Sequence, residues 1–463
     1  MVHSMKNGDK KQLTNQKDQT RILGNGYCRM NLWQKIAAII CSALLFGFGW
    51  HIRGSGTSDP SVVILLFLLL VSTIFGPRHK FNYVTFGFIT IIFRLMRRGW
   101  GTFVAQAGIP GIWDGHLLSY VESYDITVPW WQGYFWLFIV GTAWSSLPSL
   151  FLGGYFFTDK KYRFKDLVIY CIIYTGGYFL GQLIACQLIP LISPGAYYDI
   201  FRAGISERNF ISMRDNMGAT LGIIPVFIYI AVTKKDYTLI KRSVFVMIFF
   251  GLGFSIADIW QVFGRNMPEL GIPFWGLWEY TSGFIVGALL MSFYIQLMAI
   301  SQKHDVVDLE SQCNTEGRFE DLFGNYFIGH CWLFLYGLQE SLIGLFNSSM
   351  RTLGYDYEIE TWLGIIIILI VDLPFYIAAK KGKIGNRFHR LTFKQKSLIL
   401  LAILLPVYFL CYAMHRILAG TLLNFGPATL ATTFDVISAS IVEIVCLIGI
   451  TVMLIRRRLN RNK

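Results

Sequence analysis

Residues 36–59 read IAAIICSALLFGFGWHIRGSGTSD. An apolar run climbs from Ile36 to Trp50 and then stops on His51, Ile52 and Arg53, before the flexible Gly54-Ser55-Gly56. A helix over 36–52 rises about 1.5 Å per residue and covers about 25 Å, most of the ~30 Å hydrocarbon core of a bilayer. The stretch reads as a membrane span. An imidazole and a guanidinium stand at its far end, where charge is expensive and therefore meaningful.

Runs of the same grade recur along the whole chain of 463 residues. It is 54% hydrophobic and 15% charged, with a mean hydropathy of +0.49; soluble domains carry about 25% charged residues. The expected fold class is all-α, a polytopic transmembrane helix bundle of about twelve spans. They fall near 36–52, 61–76, 81–96, 132–157, 166–190, 217–233, 243–262, 273–299, 324–346, 360–379, 397–415 and 430–455. The third is short enough to be re-entrant.

Alternating these spans from an inside N-terminus sorts the cations sharply. Of the 41 Lys and Arg, 31 fall on the inside and ten on the outside. This is the bias expected of cytoplasmic loops, so both termini are expected in the cytoplasm. The same bias accounts for the net charge of +13 without nucleic acid as a partner; the partner is the bilayer. Residues 1–35 read as a disordered basic tail, 36–233 and 243–455 as two transmembrane halves of six spans each, and 456–463 as a second basic tail. The first span is expected to serve as its own uncleaved signal. None of the eight cysteines lies in an expected outer loop, which fits a cell membrane, with a bacterial inner membrane favoured. No metal-type spacing and no cofactor motif occurs, so neither is expected.

The ten outer cations are all arginine, although the chain has 19 lysines. Arginine keeps its charge when partly buried and forks onto carboxylates and phosphates. Outer-loop acids such as Asp199, Glu207 and Asp215 offer one set of partners; a small anionic or lipid-linked substrate offers another.

Two echoes suggest a six-plus-six repeat. Gly47-Phe48-Gly49-Trp50 aligns with Gly251-Leu252-Gly253-Phe254 at an offset of 204 residues. PWWQGYFWLFIVG (129–141) resembles PFWGLWEYTSGFIVG (273–287) at an offset of 144. The two offsets disagree on one linear period.

Ionisable groups within spans are functional candidates. Ser255, Asp258, Gln261 and Arg265 step by three and four along one helical stripe. With Trp50, His51, Arg53 and Glu279, the residues Asp258, Gln261 and Arg265 form the expected substrate-binding set. Trp50 suits the membrane interface, and Arg53 is expected to clamp an anion with Asp258 as its counter-ion. Glu340, Asp372, Asp435 and Glu443 are proton-coupling candidates, a role Glu279 could share. Asp114 and His116 lie two apart in an outer loop but lack a third ligand or a nucleophile at diagnostic spacing, so no catalytic residue is assigned. No nucleotide-binding, zincin or nucleophile-elbow motif is present.

The topology is similar to that of the major facilitator class, but the loop GPRHKF (76–81) lacks that class's Gly-x-x-x-Asp-Arg-x-Gly signature. The expected function is a secondary transporter or flippase-like carrier. The alternatives are a membrane-embedded transferase or hydrolase acting on a lipid-linked substrate at the outer face, and a non-catalytic assembly subunit.

Overall fold

The computed structural model describes residues 30–54, 60–75, 83–98, 130–158, 160, 162, 164–192, 207–260, 263, 274–301, 327–354, 366, 370, 373–374, 377, 393–422 and 441. Among the described residues every regular element is helical. We number the helices α1 (Leu32–Gly54), α2 (Pro60–Phe75), α3 (Tyr83–Arg98), α4 (Trp130–Gly153), α5 (Phe164–Ile192), α6 (Glu207–Leu221), α7 (Ile224–Thr233), α8 (Tyr237–Ala257), α9 (Phe274–Ser301), α10 (Phe327–Thr352) and α11 (Phe393–Leu422).

Seven segments among the described residues are long and apolar enough to cross a membrane: Leu32–Ile52, Tyr134–Phe157, Lys165–Ile192, Met213–Thr233, Tyr237–Ala257, Gly276–Ala299 and Lys394–His415. The protein is a multi-pass helical membrane protein. These segments match the first, fourth to eighth and eleventh expected spans. The spans expected over 360–379 and 430–455 lie outside the described residues except at single positions.

The core is built around α2. Its sequence PSVVILLFLLLVSTIF is apolar on every side, and Val62 through Leu69 are at most 1% exposed. A helix without a polar face belongs inside a bundle, and α1, α3, α10 and α11 all pack on it. At 16 residues it spans only about 24 Å.

Beside this core α4 pairs with α8, α8 with α9 and α9 with α1, and Trp50 of α1 closes the group against Trp144 of α4. Glycine sets its two closest pairings. A Cβ on Gly141 of α4 would overlap the Phe250 carbonyl and the Gly251 Cα of α8. A Cβ on Gly283 of α9 would overlap the Phe46 carbonyl and the Gly47 Cα of α1. In return, Gly47 lies under the Phe284 ring and Gly251 under the Phe138 ring. Backbones this close gain dispersion contact that apolar lipid cannot otherwise drive.

The sixth span is broken. α6 ends at Leu221 and α7 starts at Ile224, with Pro225 in its first turn. Proline supplies no N–H to the preceding turn, which fits the break in regular helix at residues 222–223. It packs on α5 through Gly218 and Gly222, opposite Gly181 and Gly177. The opposite face of α5 and α7 exposes Ile172, Phe179, Leu183, Ile228 and Val232. This is the surface a bilayer covers.

The neighbouring ends of α4, α5, α7 and α8 are tied around one residue. Asp236 accepts from Leu239 N–H at 3.0 Å, which caps α8, and from the Tyr162 hydroxyl at 2.9 Å and the Thr158 hydroxyl. Burial pushes the Tyr162 phenol up, and the Asp236 carboxylate beside it adds to the rise. Lys234 bonds Asp166 at 2.9 Å and lies over the Tyr162 ring. Thr158, Tyr162 and Asp166 therefore lie at the same end of the bundle as Lys234 and Asp236.

Candidate functional site

His51 is the centre of the site. The apolar run of α1 carries its last turn into the bundle, and His51 is 5% exposed. Its Nδ1 lies 3.0 Å from Glu279 Oε2 of α9, and its Nε2 lies 3.0 Å from the Tyr412 hydroxyl of α11. The imidazole stacks on Tyr280, with ring centroids 4.2 Å apart and planes 22° apart. Three helices thus meet on one side chain. The Gly283 and Gly287 contacts with Phe46 and Ser42 bring α9 close enough to α1 for Glu279 to reach it. One turn before Tyr412, the Tyr408 hydroxyl donates to the Gly49 carbonyl at 3.1 Å.

The hydrogen atoms follow from the chemistry. Where Glu279 is ionised its carboxylate only accepts, so in that state Nδ1 carries the hydrogen of the 3.0 Å contact. In the neutral imidazole Nε2 then accepts from the Tyr412 hydroxyl. Glu279 is 2% exposed. At such depth a proton and its countercharge interact far more strongly than in water.

Trp50 departs from its expected place. It is 1% exposed and packs against Trp144, Phe254, Phe93 and Phe250. It is a core residue beside the site rather than an interface anchor, because α8 and α4 cover the face on which it stands. Arg53 lies in the last turn of α1, and its side chain is outside the described residues, as are Gln261 and Arg265.

Asp258 is buried at 2% exposure and forms the C-cap of α8, donating its N–H to the Ser255 carbonyl at 3.1 Å. Ser255 Oγ donates to the Tyr134 carbonyl at 2.9 Å. α8 ends at Ala257, and the backbone is helical again at Ile259, Trp260 and Phe263. Glu340 lies on α10 with its side chain outside the described residues. Asp372, Asp435 and Glu443 also lie outside them, as do Asp114 and His116.

Arg214 and Asp215, expected in an outer loop, are on α6. Asp215 is fully buried, and its Oδ1 accepts from Arg214 Nε at 2.9 Å and Nη2 at 2.8 Å, and from Gln182. The amphipathic run from Glu207 is helix, because its apolar side packs on α4 and α5. One of the arginines expected outside is therefore an ion-pair partner.

Tyr412, Tyr280 and Tyr408 were not among the expected site residues. The signal for Tyr412 was CYAMH at 411–415, a tyrosine and a histidine three apart inside a span. His415 is itself buried. Among the described residues no three His, Cys, Asp or Glu side chains converge as a metal site would require.

No protein-family model, curated protein or solved structure matches the chain.

Proposed function

We propose that this multi-pass protein is a secondary carrier of the cell membrane, and that the His51–Glu279 pair binds the proton that drives it. The observation that carries the reading is the 3.0 Å contact between two ionisable side chains buried within membrane-spanning helices. Such a pair is a poor way to gain stability, because desolvation offsets most of the attraction. It is a good way to hold one exchangeable proton in a low-dielectric interior. The cargo is a small anionic or lipid-linked compound, the class suited to an outer surface whose cations are all arginine.

The helix pairing supports a carrier. The two sequence echoes relate α1 to α8 and α9 to α4. Together they exchange the pair α1–α9 with the pair α8–α4, the same two pairs in which glycine meets the partner's Phe-Gly backbone. The echoes conflict as linear offsets but are consistent as a relation between helix pairs. Parallel repeats of this kind place binding sites where the repeats meet.

The test is uptake by proteoliposomes under an imposed proton gradient, with labelled inorganic phosphate, succinate, glycerol phosphate and a short polyprenyl phosphate as probes. Wild type should accumulate at least one probe when the gradient is applied. Glu279→Gln should lose accumulation while retaining exchange of that probe across the membrane. Indifference of every probe to the gradient, or undiminished accumulation by Glu279→Gln, would overturn the reading.

A further inference from the structure

We infer that Tyr412 is a positioning residue that transmits the proton occupancy of the His51–Glu279 pair to α11. The inference rests on the proton-binding reading above and extends it to a helix outside the pair.

Two tyrosine hydroxyls, one helical turn apart, join α11 to α1. Both rings are 1% exposed. Tyr408 donates to the Gly49 carbonyl at 3.1 Å. A carbonyl only accepts, so the polarity of that bond never changes. Tyr412 meets His51 Nε2 at 3.0 Å, and this bond has two polarities. With a neutral imidazole protonated at Nδ1, Nε2 accepts and Tyr412 donates. When one proton is added at Nε2, the imidazolium donates and the Tyr412 oxygen must accept. The phenol hydrogen must then leave the His51 contact, so the Tyr412 hydroxyl reorients. No covalent bond changes except the new N–H, and the charge rises by one against Glu279.

The surroundings suit both states. Facing the imidazole are Glu279 and Tyr280 from α9 and Tyr412 from α11. His415 is buried one turn further along α11. The Glu279 carboxylate neutralises the imidazolium. The stacked Tyr280 face, 4.2 Å away, favours a cation over a neutral ring. Protonation therefore weakens nothing between α1 and α9, and its effect falls on the α1–α11 contact. The fixed Tyr408 bond holds register while the Tyr412 bond reverses.

The experiment is infrared difference spectroscopy of the full chain in lipid nanodiscs during a pH titration. It follows the Glu279 carboxylate stretch, which shifts when its histidine partner becomes an imidazolium, as the carboxyl change, and the tyrosine C–O band, whose frequency separates a donating from an accepting hydroxyl. In wild type the two bands should titrate together. Tyr412→Phe should abolish the tyrosine change and leave the carboxyl change in place. Tyr408→Phe, equally conservative, should leave both, which controls for general loosening of the α11 contact. Glu279→Gln should remove both. A tyrosine change that survives Tyr412→Phe, or that disappears in Tyr408→Phe, overturns the role of Tyr412 while the proton site stands. A wild-type spectrum with no carboxyl change sensitive to Glu279→Gln overturns the proton site itself.

Discussion

His51 Nδ1 and Glu279 Oε2 stand 3.0 Å apart although 228 residues separate them in the chain, and both side chains are almost wholly enclosed by protein. Removing one partner strands the other. His51→Ala and Glu279→Ala should each cost about 3–5 kcal/mol. The double replacement His51→Ala with Glu279→Ala should cost much less than the two single losses added together. Unfolding of the four proteins in mixed micelles measures this cycle, and additive losses would show that the two side chains do not interact.

The closest helix approaches depend on missing side chains. Gly141→Ala and Gly283→Ala each place a methyl group on a facing backbone carbonyl. Overpacking of this kind costs about 1–3 kcal/mol. Gly176 on α5 has nothing within 4 Å of a built Cβ, so Gly176→Ala should be neutral or stabilising by up to about 1 kcal/mol. Thermal midpoints of the three variants in one detergent decide this, and equal shifts in all three would contradict the packing described.

Tyr162, outside the spans, donates to Asp236 at 2.9 Å. Burial first, and the Asp236 charge second, raise its phenol above the ordinary value. Where an acid's folded value is raised, the associated stability is intact below the unfolded value and lost as pH rises beyond it. The protein should therefore hold its thermal midpoint up to about pH 10, the ordinary phenol value, and lose stability above it. Tyr162→Phe should flatten that alkaline loss, as a melting series across the range would show.

Lys235 occupies the exposed turn between α7 and α8 with φ of 51°. In a cysteine-free background, Lys235→Cys should react with a membrane-impermeant maleimide in inverted vesicles and not in intact cells. Labelling of intact cells would reverse the orientation of the bundle.

Much of the helix layout was legible in residues 36–59 and their kin, because an apolar run of span length has few alternatives in a bilayer. Both members of the buried pair were also legible as separate anomalies, His51 ending one span and Glu279 standing in another. Their meeting was not. It depends on which helix faces fit together, and that turns on Gly283 and Gly287 lying against Phe46 and Ser42, a detail that mean hydropathy averages away. Trp50 was misplaced for the same reason: a tryptophan near a span end suits an interface or a core equally well until its neighbours are known. Arg214 and Asp215 read as loop residues because a charged, low-hydropathy helix such as α6 becomes tolerable only once Asp215 has its arginine.

The pairing of α1 with α9 also bears on how the protein is made. The ribosome releases His51 long before Glu279, 228 residues downstream. At roughly 5–20 residues per second the interval is about 10–45 s. During that interval α1 stands in the membrane with a histidine near its end and Phe46 and Trp50 along its face, and its principal neighbour does not yet exist. α4 waits in the same way for α8. The insertion machinery or a chaperone must shelter these early helices, or they must hold to one another through the Trp50–Trp144 contact until α8 and α9 arrive.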